Sequence, residues 1–298
     1  MNIGIDIDCI ISKTIIDKGL EFYNIKNDTY KDNCYKCLKE IEENTKHQDT
    51  FKKVYDILYL DKNNTIKELW KIKNTSDLFE NINNPYITSL LLLAGYKIHE
   101  SNMEKCSFDK KQLEIHKKRV KETLVNDIEL RKYDGIRISQ MLWGAYFVNI
   151  RIIEVGRLQY EFCKVNPLNE KEYKECIKIH IPSGDKLTEE KVKESIIKSK
   201  EQILKYFNLE NPEYYCSSWL LSPTINKVID KSSNIAKFYN MFEILEEKDG
   251  IEDILNFVFN VKKCNNYDEL EENTSLQIKI KEMLSRNEKL TIGIGILK

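Results

Sequence analysis

Apolar residues recur at three- and four-residue intervals through the first half of the chain, most clearly from Phe51 to Leu60 and from Leu113 to Leu130. Val120, Leu124 and Ile128 form one such stripe amid Lys and Glu, so amphipathic helices are expected. Polar breaks near Asp61-Lys62-Asn63-Asn64 and Asn83-Asn84-Pro85 separate them, and few strand candidates appear. After about residue 153 the period changes to two. Arg157 to Val165 alternates and is β-rich, Cys176 to Ile181 alternates again, and the turn-rich Asn166-Pro167-Leu168-Asn169-Glu170 lies between, predicting a hairpin.

A capped helix should follow from Thr188, with Glu189 and Glu190 at the positive end of its dipole and Val192, Ile196, Ser199, Ile203 and Phe207 on one face. Further strands are expected at Tyr214 to Leu221, Asn240 to Glu246 and Lys289 to Leu297, with helices at Ile251 to Phe259 and Thr274 to Met283. The order is strand, strand, helix, strand, helix, strand, helices, strand, which describes a mixed α/β layer. The fold class is therefore α+β: a helical domain over 1–152 and a mixed α/β domain over 153–298.

Composition narrows the function classes. Of 298 residues, 41% are hydrophobic and 32% charged, which excludes wholesale disorder. Lys+Arg (47) and Asp+Glu (48) nearly cancel, so a nucleic-acid binder would need a local basic patch, and no such run stands out. The opening residues lack the features of a signal peptide. The longest apolar run, Leu90 to Ala94, is far shorter than a membrane span. The 8 cysteines are accordingly expected to be reduced thiols in a cytoplasm.

Several segments could carry chemistry. Ile3-Gly4-Ile5-Asp6-Ile7-Asp8 ends an apolar run in D-x-D, like the first motif of haloacid-dehalogenase-type phosphohydrolases. That reaction also needs Mg²⁺, a later Lys and a later acidic pair, and no such pair ends an apolar strand. A Mg-dependent phosphohydrolase is thus the remote alternative. The competing reading makes Ile7, Ile10, Ile11, Thr14 and Ile15 a helical stripe. Cys34-Tyr35-Lys36-Cys37 has no second pair of ligands for zinc and reads as two ordinary helix thiols. No metal site is expected. His47, His99 and His116 stand in polar surroundings and read as exposed bystanders.

Two later segments are more suggestive. After the strand ending at Ile181, Pro182-Ser183-Gly184-Asp185-Lys186 turns into the capped helix, where free backbone N–H groups favour an anion. In Tyr215-Cys216-Ser217-Ser218-Trp219-Leu220-Leu221-Ser222-Pro223, alternation places Cys216, Ser218 and Leu220 on one face, and Ser217, Trp219 and Leu221 on the other. Cys216 itself reads as a buried core thiol, with His180 the one candidate base on a neighbouring strand.

With these segments the chain resembles a bacterial family of acyltransferase-domain proteins, which joins a helical N-acyltransferase-type domain to a GNAT-like acetyltransferase domain. The resemblance rests on Thr123 to Ile128, Gly156 to Glu161, Ile179 to Thr188, Cys216 to Pro223, Ser232 to Ile235, Asn273 to Gln277 and Gly295 to Lys298. These run in order from about residue 120 onward, and the likeness is looser before it. The family often carries His where Ser217 stands, and the superfamily's glycine-rich pyrophosphate loop is reduced here to Ser183-Gly184.

The resemblance implies an acyl-CoA-dependent N-acyltransferase that takes acetyl-CoA or another acyl-CoA as co-substrate and an amine of unstated identity as acceptor, while charge balance and apolar run length point to neither nucleic acid nor membrane as partner. Pantetheine would lie between splayed strands Cys176–Ile181 and Tyr214–Leu221. Glu161 or His180 would be the base, with Ser217 or Ser218 near the thioester. Ile181, Ser183, Gly184, Lys186, Thr188, Cys216 and Ser218 would contact the co-substrate. The alternative is a non-catalytic module that keeps the fold to bind a small molecule or protein.

Overall fold

A computed structural model of the chain describes residues 7–60, 66–72, 75–79, 82, 84–169, 171–261 and 263–298. It divides into two compact units, Met1–Ile153 and Glu154–Lys298. The first is built of helices: α1 (Ile7–Ile10), α2 (Lys13–Phe22), α3 (Asp28–Glu42), α4 (Thr45–Tyr59), α5 (Ile66–Leu69), α6 (Thr75–Leu78), α7 (Ile87–Ala94), α8 (Tyr96–Lys105), α9 (Lys110–Glu129) and α10 (Ile138–Val148). Every residue of α7 is buried, as its sequence ITSLLLLA requires of a helix apolar on all sides. The helices α2, α3 and α10 pack around it.

The end of α9 is fixed by a buried carboxylate. Asp127 accepts hydrogen bonds from the Arg137 backbone N (3.0 Å), Nε (2.9 Å) and a terminal guanidinium nitrogen (2.8 Å). Its side chain is only 2% exposed, so the loop between α9 and α10 is clasped by a charge that cannot fall back on water.

Three expectations change in this unit. The stripe Ile7, Ile10, Ile11, Ile15 is buried, but it spans a break between α1 and α2, and Thr14 is exposed. Asp6 and the residues before it lie outside the described residues, as do 61–65 and Asn83. His99 and His116 are not bystanders: both are fully buried. His116 falls on the same stripe as Val120 and Leu124, four and eight residues away, and its ring packs on Phe108 (4.6 Å) and Phe147 (5.5 Å). His47 is half-buried. Cys34 and Cys37 are buried thiols in the middle of α3, and burial pushes Cys34 up to about 12 and Cys37 up as well.

The second unit is a six-stranded sheet with helices. In chain order it comprises β1 (Ile152–Val155, which begins just inside the first unit), β2 (Leu158–Cys163), β3 (Cys176–His180), α11 (Glu189–Phe207), β4 (Tyr214–Ser218), α12 (Pro223–Val228), α13 (Asn234–Asn240), β5 (Phe242–Asp249), α14 (Ile251–Val258), α15 (Ser275–Ser285) and β6 (Thr291–Leu297). The spatial order is β1-β2-β3-β4-β6-β5. The β2–β3 pair is antiparallel, β3–β4 is parallel across α11, and β6 inserts antiparallel between β4 and β5.

The predicted hairpin and capped helix are present, and Thr188 caps α11. The short strand β1 precedes the predicted set. The strand expected over Tyr214–Leu221 stops at Ser218, whose hydroxyl accepts from Leu220 N and opens a 3₁₀ turn at Trp219–Leu221. That turn packs against β6 so closely that a Cβ on Gly293 would lie 2.0 Å from the Leu221 carbonyl oxygen.

Candidate functional site

Strand register decides which candidate side chains share a face. Gln159 lies opposite His180, Glu161 opposite Lys178, and Lys178 opposite Tyr215. Paired residues point the same way and alternate residues repeat it, so Gln159, Glu161, Lys178, His180, Tyr215 and Ser217 occupy one face of the sheet. Tyr160, Phe162, Ile177, Ile179, Tyr214, Cys216 and Ser218 occupy the other, against α11. There the Tyr160 hydroxyl lies 2.8 Å from Ser195 Oγ, and Phe162 stacks on Phe207. The predicted residues are therefore split: Glu161, His180 and Ser217 share a face, while Cys216 and Ser218 lie behind it.

His180 Nε2 stands 2.8 Å from Glu161 Oε2. A carboxylate only accepts, so the Nε2–H donates, and a neutral ring then carries its lone pair on Nδ1. The Glu161 side chain is 7% exposed and that of His180 is 21% exposed, so the carboxylate is the buried partner and the imidazole the accessible one. On the same face Gln159 donates through Nε2 to Glu154 Oε2 at 2.7 Å, extending the polar strip to β1.

The β3–β4 ladder ends at Ile179 opposite Cys216. His180 and Ser217 are the next residues on each strand, so both stand where the two strands cease to pair. From there the chain enters the exposed loop Ser183–Lys186, with Ile181 and Thr188 half-buried at its ends. Arg157 holds this loop from within, donating to the carbonyls of Pro182 and Asp185, each at 2.7 Å. Gly184 has φ +130, a conformation that suits glycine.

The start of α11 is less open to an anion than a bare helix end. Thr188 Oγ1 accepts from Lys191 N, and Glu190 takes its own backbone N–H, which holds its carboxyl below the usual range. Asp185 pairs with Lys191 Nζ at 2.7 Å, and Glu189 with Lys193 Nζ at 2.6 Å. Three carboxylates thus surround the N–H groups that the sequence offered as a phosphate cradle, and Lys186 is the cation of the loop itself. The second-face thiol Cys216 is fully buried, and burial pushes it up to about 12, so it is no nucleophile. Among the described residues no three His, Cys, Asp or Glu side chains come together as a metal site.

Sequence reasoning named Glu161 and His180 as competing bases; the register shows them to be partners. It did not single out Gln159, although the position lies two residues before Glu161 and so on its face.

Residues 152–297 match the family model of the GNAT-like C-terminal domain, and this part of the chain is such a domain. Over most of its length the chain is similar in fold to solved acyltransferases. An acyltransferase mutant in complex with octanoyl-CoA superposes with a TM-score of 0.74 at 14% identity, covering 96% of this chain and 88% of that one. An acyltransferase in complex with decanoyl-CoA gives 0.66 at 17% identity, covering 83% and 76%. An acyltransferase in complex with decanoyl-CoA and teicoplanin gives 0.63 at 18% identity, covering 72% and 67%. None of the curated proteins matches the chain in sequence.

Proposed function

We propose that the protein is an acyl-CoA-dependent N-acyltransferase that works at the end of the β3–β4 ladder. The observation that carries this reading is the Glu161–His180 pair, a buried carboxylate orienting a partly exposed imidazole at the point where the strands stop pairing. The similar folds solved with octanoyl-CoA and decanoyl-CoA support acyl-CoA as the donor, and medium chains are the first to test. The fold solved with teicoplanin supports an amine-bearing acceptor.

The donor thioester supplies an activated acyl carbon. His180 would take the proton of the incoming amine as the C–N bond forms, with Glu161 balancing the imidazolium, and Ser217 lies on the same face to serve the departing thiolate. Ser183, Gly184, Lys186 and Thr188 would face the diphosphate and Ile181 the pantetheine arm, whereas Cys216, fully buried, and Ser218 lie on the opposite face of the sheet. Calorimetric titration with acetyl-, octanoyl- and decanoyl-CoA tests the donor: saturable binding is expected, and none at millimolar ligand would end the proposal.

One observation favours the second reading, a binding module without catalysis: Asp185, Glu189 and Glu190 crowd the anion anchor. If that reading holds, Glu161→Gln and His180→Gln leave biological activity unchanged.

A further inference from the structure

Away from the ladder end, β2 and β3 bring two cysteines face to face. Cys163 is the last residue of β2 and Cys176 the first of β3, and they are directly opposed in the antiparallel register. Opposed residues of such a pair have Cα atoms about 4.5–5.5 Å apart, inside the roughly 4.4–6.8 Å that a disulfide spans. Cys176 is fully buried and its thiol donates to the Val165 carbonyl oxygen at 3.6 Å, while Cys163 is 9% exposed. Together with Tyr215 and Ile296 they form a small core of their own under the hairpin mouth.

We propose that Cys163 and Cys176 are an oxidisable dithiol that hydroperoxides close to a disulfide, with Cys176 as the attacking sulfur. The two sulfurs need no rearrangement of the strands to meet, because the register already opposes them. The Cys176 pKa lies below the usual thiol value: the neighbouring Cys163 thiol lowers it most, burial opposes this, the Lys174 ammonium draws it down further, and Glu161 and Glu213 push back. Lys174 is itself fixed there, with Nζ 2.8 Å from the Tyr215 hydroxyl and 2.5 Å from Glu213 Oε2. The other close pair in the chain, Cys34 and Cys37, provides a contrast, because burial in mid-helix raises both and supplies no cation.

The chemistry balances as follows. The Cys176 thiolate attacks one oxygen of the hydroperoxide, the O–O bond breaks, and a sulfenic acid and hydroxide or alkoxide form, the latter protonated by water. Cys163 then attacks the sulfenic sulfur; the S–S bond forms, hydroxide leaves with the Cys163 proton as water, and two thiols have lost two electrons to the peroxide. The bridge would pin the hairpin that carries Glu161 and His180, yet its formation does not depend on what that pair does.

The test treats the full-length protein with a few equivalents of hydrogen peroxide, alkylates the remaining thiols, and maps the peptides by mass spectrometry. A dithiothreitol-reversible cross-link between the Cys163 and Cys176 peptides is expected before any oxidation of Cys34, Cys37 or Cys216. In Cys163→Ala, with an unchanged circular dichroism spectrum, Cys176 should accumulate as a sulfenic acid that dimedone captures. Oxidation of Cys34, Cys37 or Cys216 while Cys163 and Cys176 remain alkylated would overturn the proposal. So would the absence of a dimedone adduct on Cys176 in the folded variant.

Discussion

The buried histidines of the helical unit make its stability depend on pH in a way that one substitution isolates. His116 is fully enclosed, neither ring nitrogen has a hydrogen-bond partner of good geometry, and burial holds its pKa down to about 3, with the Phe147 backbone opposing only partly. His99, whose Nδ1 lies 3.1 Å from the Tyr23 hydroxyl, is likewise held well below its usual 6.5 by burial first and then by its neighbours His116 and Lys117. The unfolded chain binds these protons near 6.5 and the folded chain refuses them. Their contribution to stability is therefore complete above that value and is lost as pH falls from it towards the folded pKa.

For one histidine with pKa values of 6.5 unfolded and about 3 folded, lowering the pH from 6.5 to about 4.5 costs about 2.3 kcal/mol by proton linkage. Replacing His116 by Phe preserves an aromatic ring among Phe108, Phe147 and His99 and removes the titration. Urea unfolding in a Trp219→Phe background, which leaves Trp70 and Trp143 to report on the helical unit, gives the free energy at each pH. His116→Phe should be at least as stable as its parent near neutrality, because it removes two unsatisfied nitrogens. It should also lose about 2 kcal/mol less over that acid interval. Parallel pH profiles for the two proteins would refute the reasoning.

Three other outcomes follow from particular contacts. Arg137→Met should destabilise the helical unit by about 3 kcal/mol in the same unfolding assay, near the low end for an orphaned buried carboxylate, because Arg131 stays 3.9 Å from Asp127. Gly293→Ala should unfold the second unit at markedly lower urea, since its Cβ would collide with the Leu221 carbonyl and not with a flexible side chain; an unchanged midpoint of Trp219 fluorescence would contradict this. Glu190→Gln should tighten acyl-CoA binding severalfold in calorimetry by removing a charge at the α11 N-terminus, and equal or weaker affinity would show that the diphosphate does not lie there.

The fold was legible wherever one periodicity ran unbroken. Thr188 and the stripe Val192, Ile196, Ser199 and Ile203 define α11 because a cap and a buried face coincide there. The alternation in β2 and β3 survives because each strand has a neighbour on both sides. Legibility failed where a local contact cut a pattern short. The alternating run through Leu221 has no feature that halts a strand at Ser218; the stop comes from the Ser218 cap and from the close packing of that turn on Gly293, seventy-odd residues along the chain. His116 shows the opposite error. Its place four residues before Val120 already put it on the buried stripe, but the lysines beside it in sequence suggested solvent.

The candidate site was harder to read because its chemistry depends on pairing between strands. Glu161 and His180 are 19 residues apart and look like rivals for one role until the register places them diagonally on the same face, with their carboxylate and imidazole 2.8 Å apart. Ser217 and Cys216 are sequence neighbours, yet the pleat sends one towards that pair and the other towards α11. The anion anchor was visible as a strand-to-helix turn, since backbone geometry alone creates free N–H groups there. What sequence did not settle is how the turn spends those groups. Thr188 and Glu190 satisfy two of them internally, and Asp185 and Glu189 take up neighbouring lysines. On the proposed reading, a diphosphate bound at this end would have to displace or outweigh those contacts, and Glu190 and Asp185 would then set the affinity for acyl-CoA as much as the single glycine between them and the strand.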